Sequence, residues 1–228
     1  ITDHGPGHMT YGLDTAKIPQ MRAEIAALKK EFPDMEILLG VEANTMRIEP
    51  YIDVPASERG DYNILLAGYH YGIRHAGMIA NYAYKHAGFF RGEDSSLKVA
   101  NTAMILDCLY FNEEAGNHID VLTHPGDKGP FDIEDIAKAC ADTGTLIEIN
   151  DKHAHLTVEE IKIAAKFDVS FIIGSDAHVP EKVGSFEGPL RRALEAGLDP
   201  GLGDVYKRQT NREYFSCQRR KKRDIIDC

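Results

Sequence analysis

Short runs of β-branched and apolar residues alternate along this chain with stretches of helical periodicity, and that alternation constrains its fold more than any other feature. The strand-like runs fall at residues 1–3, 36–42, 62–69, 118–123, 146–149 and 171–174. Helix-like stretches fall at 18–32, 97–114, 133–142, 158–167 and 190–196. Met21, Ile25, Ala26 and Leu28 give the first helix its apolar stripe, with Lys29, Lys30 and Glu31 facing outward. Thr157 opens T-V-E-E, a helix cap followed by early acids, and Gly144 and Gly197 stand where helices should stop. Strand–helix alternation of this kind builds a parallel sheet. Most of the strand runs are apolar throughout, as expected when both faces are covered. No G-x-G-x-x-G or phosphate-binding loop follows a strand, so an open nucleotide-binding sheet lacks its usual signature. The expectation is an α/β barrel with six strands in this chain and one upstream of Ile1. An open doubly wound sheet is the alternative.

With 228 residues, 43% of them hydrophobic and 27% charged, the chain is long and apolar enough for one buried core and too apolar for disorder. Runs such as ILLG and FIIG are far too short to span a bilayer. A net charge of −10 weighs against nucleic acid as a partner. The charge is also uneven. Residues 1–203 carry 18 basic and 32 acidic side chains, a net of −14, whereas residues 204–228 carry eight basic and four acidic. The segment from Asp204 to Gln209, DVYKRQ, back-translates to gatgtgtataagagacag, which is similar to the end of a sequencing-library adapter. The expected division is therefore a partial barrel domain over 1–203 and a non-native or disordered tail over 204–228. Cys108 and Cys140 stand alone at no metal-like spacing and read as reduced core residues of a cytoplasmic protein.

What ends each strand carries the chemistry. The first run ends in Asp3-His4, the second in Glu42, the third in His70 and the fourth in His124. The fifth ends in Glu148 and Asn150, and the sixth in Asp176 and His178. In a parallel barrel the C-terminal strand ends open on one face, where active sites sit. Imidazoles mixed with carboxylates are the ligand set of zinc, manganese or iron. Taken singly, each residue has a plainer reading: a hydrogen-bonded histidine, a salt-bridging Glu42, an N-capping Asp176. Several ligand types recurring at successive strand ends favour a shared metal site. His118 precedes its strand and reads as structural, while His8, His75 and His153 fall in mouth loops as substrate contacts.

At ITDHGP, GVEAN, AGYH, THPGD and GSDAH the chain resembles the polymerase-and-histidinol-phosphatase (PHP) family of metal-dependent phosphoesterases, and its small stand-alone phosphatases in particular. The resemblance covers about residues 1–200, with five separated motifs in the family's order. It implies a distorted (β/α)7 TIM-like barrel, here missing its first strand. It also implies up to three divalent ions, zinc or manganese. Glu42 would bridge two ions, His70 and His124 would complete one ligand set, Asp176 would bind the other ion of that pair, and His4 and His178 would hold the third. The family's upstream H-x-H has no counterpart in this chain, which would leave the ion at Asp176 short of ligands and the chain a poor catalyst.

The implied reaction is hydrolysis of a small phosphomonoester by a metal-activated water, with Asp176 as ligand and orienting base and His178 protonating the leaving group. Substrate contacts are expected from Arg74, His75, Lys128 and His153, Arg74 and His75 lying in a long connection over 71–96. Histidinol phosphate is one family substrate. An amidohydrolase-like hydrolase and a non-catalytic metal-binding barrel are the competing readings. The expected partner is a small phosphorylated substrate, with no membrane, nucleic acid disfavoured and a homo-oligomer allowed.

Overall fold

A computed structural model describes residues 1–74, 77–87, 96–198 and 205–206. The elements in chain order are β1 (Thr2–His4), α1 (Ile18–Glu31), β2 (Gly40–Asn44), β3 (Ile64–Gly68), α2 (Met78–Ala87), α3 (Ser96–Glu114), β4 (Val121–Leu122), α4 (Ile133–Thr143), β5 (Leu146–Asn150), α5 (Val158–Ala164), β6 (Phe171–Gly174) and α6 (Glu187–Glu195). β1 to β6 form one parallel sheet in strict chain order, and Val205–Tyr206 (β7) adds to it beside β6. Because the order never reverses, the doubly wound alternative, which needs a reversal point, is excluded. Among the described residues β1 and β7 do not pair, so the sheet is an open parallel one. It curls nonetheless: the ring of His4, ending β1, lies 6.4 Å from that of His178, which follows β6.

Strand pleating sorts the side chains into two populations. Leu65, Ala67, Leu122, Ile147, Ile149 and Phe171 pack with helix residues such as Ile105, Leu109, Ile136, Cys140 and Ile161 in the main core. Their neighbours of opposite parity, Val121, Leu146 and Ile172, form a second small apolar cluster with Ile64 and Leu66. Register places Glu42 beside Leu66, His4 beside Glu42, and Glu148 beside Ile172. Glu42 and Glu148 therefore share the inner face with that small cluster.

Local signals explain most element boundaries. Thr157 and Glu160 form a reciprocal capping box at the start of α5. Asp132 accepts from the Glu134 and Asp135 N–H groups at the start of α4, and Gly144 closes that helix at φ 75°. β4 is shorter than the expected 118–123 because the Asp120 carboxylate takes the Leu65 N–H at 2.8 Å, a bond the ladder would otherwise make. The connection over 71–96 is not a plain loop, since it contains α2. That helix is held by polar contacts in place of an apolar stripe: buried Asn81 exchanges hydrogen bonds with Asn101, and Lys85 donates to Asp127.

Candidate metal centre

The predicted ligands lie at or just beyond the C-terminal ends of their strands, except Glu42 within β2, and the curl of the sheet brings most of them together. Glu42, from the middle of β2, is the hub. Its Oε1 lies 3.1 Å from His124 Nε2 and 3.4 Å from His70 Nε2, and accepts from the Thr123 hydroxyl at 2.7 Å. Its Oε2 lies 3.7 Å from His4 Nδ1. His4, Glu42 and His70 thus form one three-donor group, with donor atoms all within 4.8 Å of one another. His124, His153 and Asp176 form a second group of the same size. The groups touch where His70 Nε2 and His124 Nε2 approach to 3.2 Å.

This grouping differs from the ligand sets the resemblance implies. His153, expected at the substrate, stands among the donors, with Nε2 3.2 Å from Asp176 Oδ2 and Nδ1 3.2 Å from Asp127 Oδ2. His178, expected to hold an ion with His4, stays at the rim. Its side chain is 55% exposed, and its Nδ1 donates to the Asp176 carbonyl at 2.9 Å. Lys152 Nζ lies 2.9 Å from His178 Nε2 and 3.8 Å from Asp176 Oδ1. Of the other expected substrate contacts, Arg74 is exposed at the end of the turn after β3. Lys128 is tied to Asp127, its Nζ 5.9 Å from the Tyr71 ring centre. His75 lies outside the described residues.

The donor set fits a cation on its own chemistry. His70 Nδ1 donates to Asn44 Oδ1 at 2.8 Å, which leaves Nε2 as a lone pair pointing at His124 and Glu42. Two imidazole nitrogens and a carboxylate oxygen aimed at one another are poorly satisfied by protons alone. His4 Nδ1 is buried with no hydrogen-bond partner among the described residues. Nitrogen and carboxylate donors of this kind suit zinc or manganese.

Electrostatics point the same way. Burial and the neighbouring His70 push His4 down to about 4, so its imidazole is neutral at physiological pH. Burial would raise Glu42, but the imidazoles of His70 and His124 outweigh it and hold the carboxyl well below its ordinary value. Burial likewise works against ionised Asp176, and the His153 hydrogen bond still keeps it low. Beneath the site, burial lifts Glu148 to about 7, where it accepts the His124 N–H at 2.9 Å. His124 and Asp176 also hold left-handed backbone, at φ 28° and 48°. Residues with side chains carry such strain where surrounding contacts fix them, commonly at functional sites.

Comparison with known proteins places the chain near named phosphatases. A family model described as PHP-associated matches residues 159–186, the segment that holds Asp176 and His178. A protein of Shewanella halifaxensis named "probable phosphatase" is 28% identical over 196 residues, covering 81% of this chain and 66% of that relative. Similarly named proteins of Thermoanaerobacter sp. strain X514 and Proteus mirabilis are each 28% identical, covering 89% and 86% of this chain and 75% and 71% of their own lengths. These matches make the chain similar to PHP-domain phosphatases. The PHP motifs quoted from the sequence supply His4, Glu42, His70, His124, Asp176 and His178. They do not single out Asp53 or Asp127, nor the amide of Asn44, although Asn44 closes GVEAN and Asp127 closes THPGD. Only their contacts with the clustered histidines and neighbouring turns give these residues a place in the candidate centre.

Proposed function

We propose that this chain is a metal-dependent phosphoesterase of the PHP type that hydrolyses a small phosphomonoester at the mouth of a TIM-like barrel. The observation that carries the reading is the meeting of two three-donor groups at Glu42 and the His70–His124 contact. The names of the similar proteins support phosphate-ester chemistry. His4, Glu42 and His70 would hold one divalent ion, zinc or manganese, and His124, His153 and Asp176 another. Ions bound there supply Lewis acidity toward the phosphoryl oxygens and lower the pKa of a water toward neutrality.

The chain's own groups do the rest. Glu42 sets the spacing between the two groups, because one carboxylate reaches both. Asp176, ionised and gripped by His153, accepts a proton or hydrogen bond from the attacking water. Lys152 offers a cation to the phosphate beside Asp176, in a body that otherwise repels anions. His178, half in solvent at the rim, donates a proton to the departing alkoxide.

Elemental analysis combined with hydrolysis of a panel of phosphate esters and amides tests this. The expected result is bound zinc or manganese, turnover of phosphomonoesters, and loss of both in Glu42→Ala. Retention of metal and rate by that variant, or activity on amides alone, would end the proposal.

A further inference from the structure

We infer that Asp53 is a positioning residue that braces both histidines of the His4–Glu42–His70 group, a role that rests on the metal reading above. Asp53 lies on the connection after β2, outside every motif that identifies the site. Its carboxylate accepts three hydrogen bonds. The Asn44 backbone N–H donates at 2.7 Å, the Asn44 side-chain amide at 2.5 Å, and the Gly7 N–H at 2.8 Å. The Asn44 amide nitrogen also donates to the Gly5 carbonyl at 3.2 Å. With that nitrogen committed to acceptors, Asn44 must turn its oxygen toward His70, where it accepts from Nδ1 at 2.8 Å. Asp53 therefore fixes the orientation of an amide, and the amide fixes which nitrogen of His70 is free to coordinate. Ring nitrogens left without such a partner rotate and exchange tautomers.

The second arm runs through the turn after His4. Gly5 N–H continues the β1–β2 ladder to the Glu42 carbonyl at 2.8 Å, and Gly7 is held by Asp53. The next residue, His8, stacks on His4 with ring centres 5.1 Å apart. The glycines of this turn fit the role. A Cβ at Gly5 would stand 2.3 Å from Asp53 Oδ1, and one at Gly7 would stand 2.9 Å from Asp53 Cβ and Oδ2. Both positions lack side chains because the carboxylate occupies that space. An anchor serving the turn alone would need only the Gly7 bond; the bonds through Asn44 end on a ligand ring.

The test uses the full chain, wild type and Asp53→Asn, titrated with Co(II) against a chromophoric chelator. Asparagine keeps the shape but sets an amide N–H against one of the N–H donors. The expected result is a 10- to 100-fold loss of cobalt affinity, with a changed visible spectrum. Natural-abundance or labelled ¹⁵N imidazole spectra of the metal-free protein should show His70 protonated at Nδ1 in the wild type and mixed in the variant. Asp120→Asn, a buried carboxylate remote from the site, serves as control. It should lower Tm while leaving cobalt affinity and spectrum unchanged. Should Asp53→Asn not fold, Asn44→Ser keeps the carboxylate and withdraws the His70 acceptor, and the same loss is expected. If the wild type takes up no cobalt, the metal reading and this role fall together. If the wild type binds and the Asp53 or Asn44 variant binds with equal affinity and spectrum, the brace alone is refuted.

Discussion

Replacing Gly174 by alanine tests how tightly the floor of the site is built. A Cβ there would stand 1.8 Å from Glu148 Oε1 and 2.7 Å from its Cδ, so the buried carboxylate has to move. Glu148 Oε2 is the acceptor of the His124 N–H at 2.9 Å and of the Asn150 amide at 2.9 Å. Losing the partner of one buried N–H costs about 1–3 kcal/mol. Forcing extra volume into a packed interior costs about 1–3 kcal/mol more. Gly174→Ala should therefore destabilise the fold by about 2–6 kcal/mol, read from the urea midpoint at constant m-value. Gly60→Ala is the matched control, because a Cβ there meets nothing within 4 Å. Its effect should stay within about 0.5 kcal/mol. Removing the obstacle gives a second check. In Gly174→Ala/Glu148→Ala the total cost should be less than the sum of the single variants, since the clash is gone and the lost His124 N–H acceptor is counted only once. A Gly174→Ala midpoint equal to wild type, or strict additivity in the double variant, would refute the account of this floor.

Asp120→Ala takes the acceptor from the Leu65 N–H and from Arg59, both at 2.8 Å, and should cost about 3–5 kcal/mol in denaturant unfolding. Glu160 is opposed by burial, but the His155 imidazole 3.6 Å away and the hydrogen bonds from Thr157 keep its carboxyl below the ordinary 4.5 in the folded state. Its contribution is thus present above that value and fades as pH falls through the lower folded value. Glu160→Gln should lose about 0.5–2 kcal/mol at neutral pH and converge on wild type in acid unfolding curves. His153→Ala removes one donor of the second group; on the proposed metal reading, elemental analysis should find less metal bound than in the wild type, with the His4–Glu42–His70 group still able to hold an ion.

Much of the architecture was legible because its signals are local. The strand at 171–174 coincides with β6, Thr157 caps α5, and Gly144 ends α4. Elements set by distant side chains were not. β4 is cut short by Asp120, and α2 is held by the Asn81–Asn101 pair and by Lys85 on Asp127, none of which leaves a periodic trace. The same division runs through the site. Ligand-type residues announce themselves at strand ends, so His4, Glu42, His70, His124 and Asp176 could be gathered from the sequence and stand close together in the structure. Partition into groups depends on how far each loop reaches, and spacing says nothing of that for His153 or His178. The sequence equally hides Asp53, whose meaning comes from a turn 46 residues away.

The pleat that separates the helix-covered core from the inner face has a consequence for how such a chain can vary. Loops between strands can lengthen or shorten without changing which atoms meet at the centre. A single residue gained or lost inside Gly40–Asn44 would instead rotate Val41 or Ala43 into the place of Glu42 and bury a carboxylate among the helices. The chemistry of the centre thus tolerates rewriting of its connections and is intolerant of a frame slip of one position within a strand.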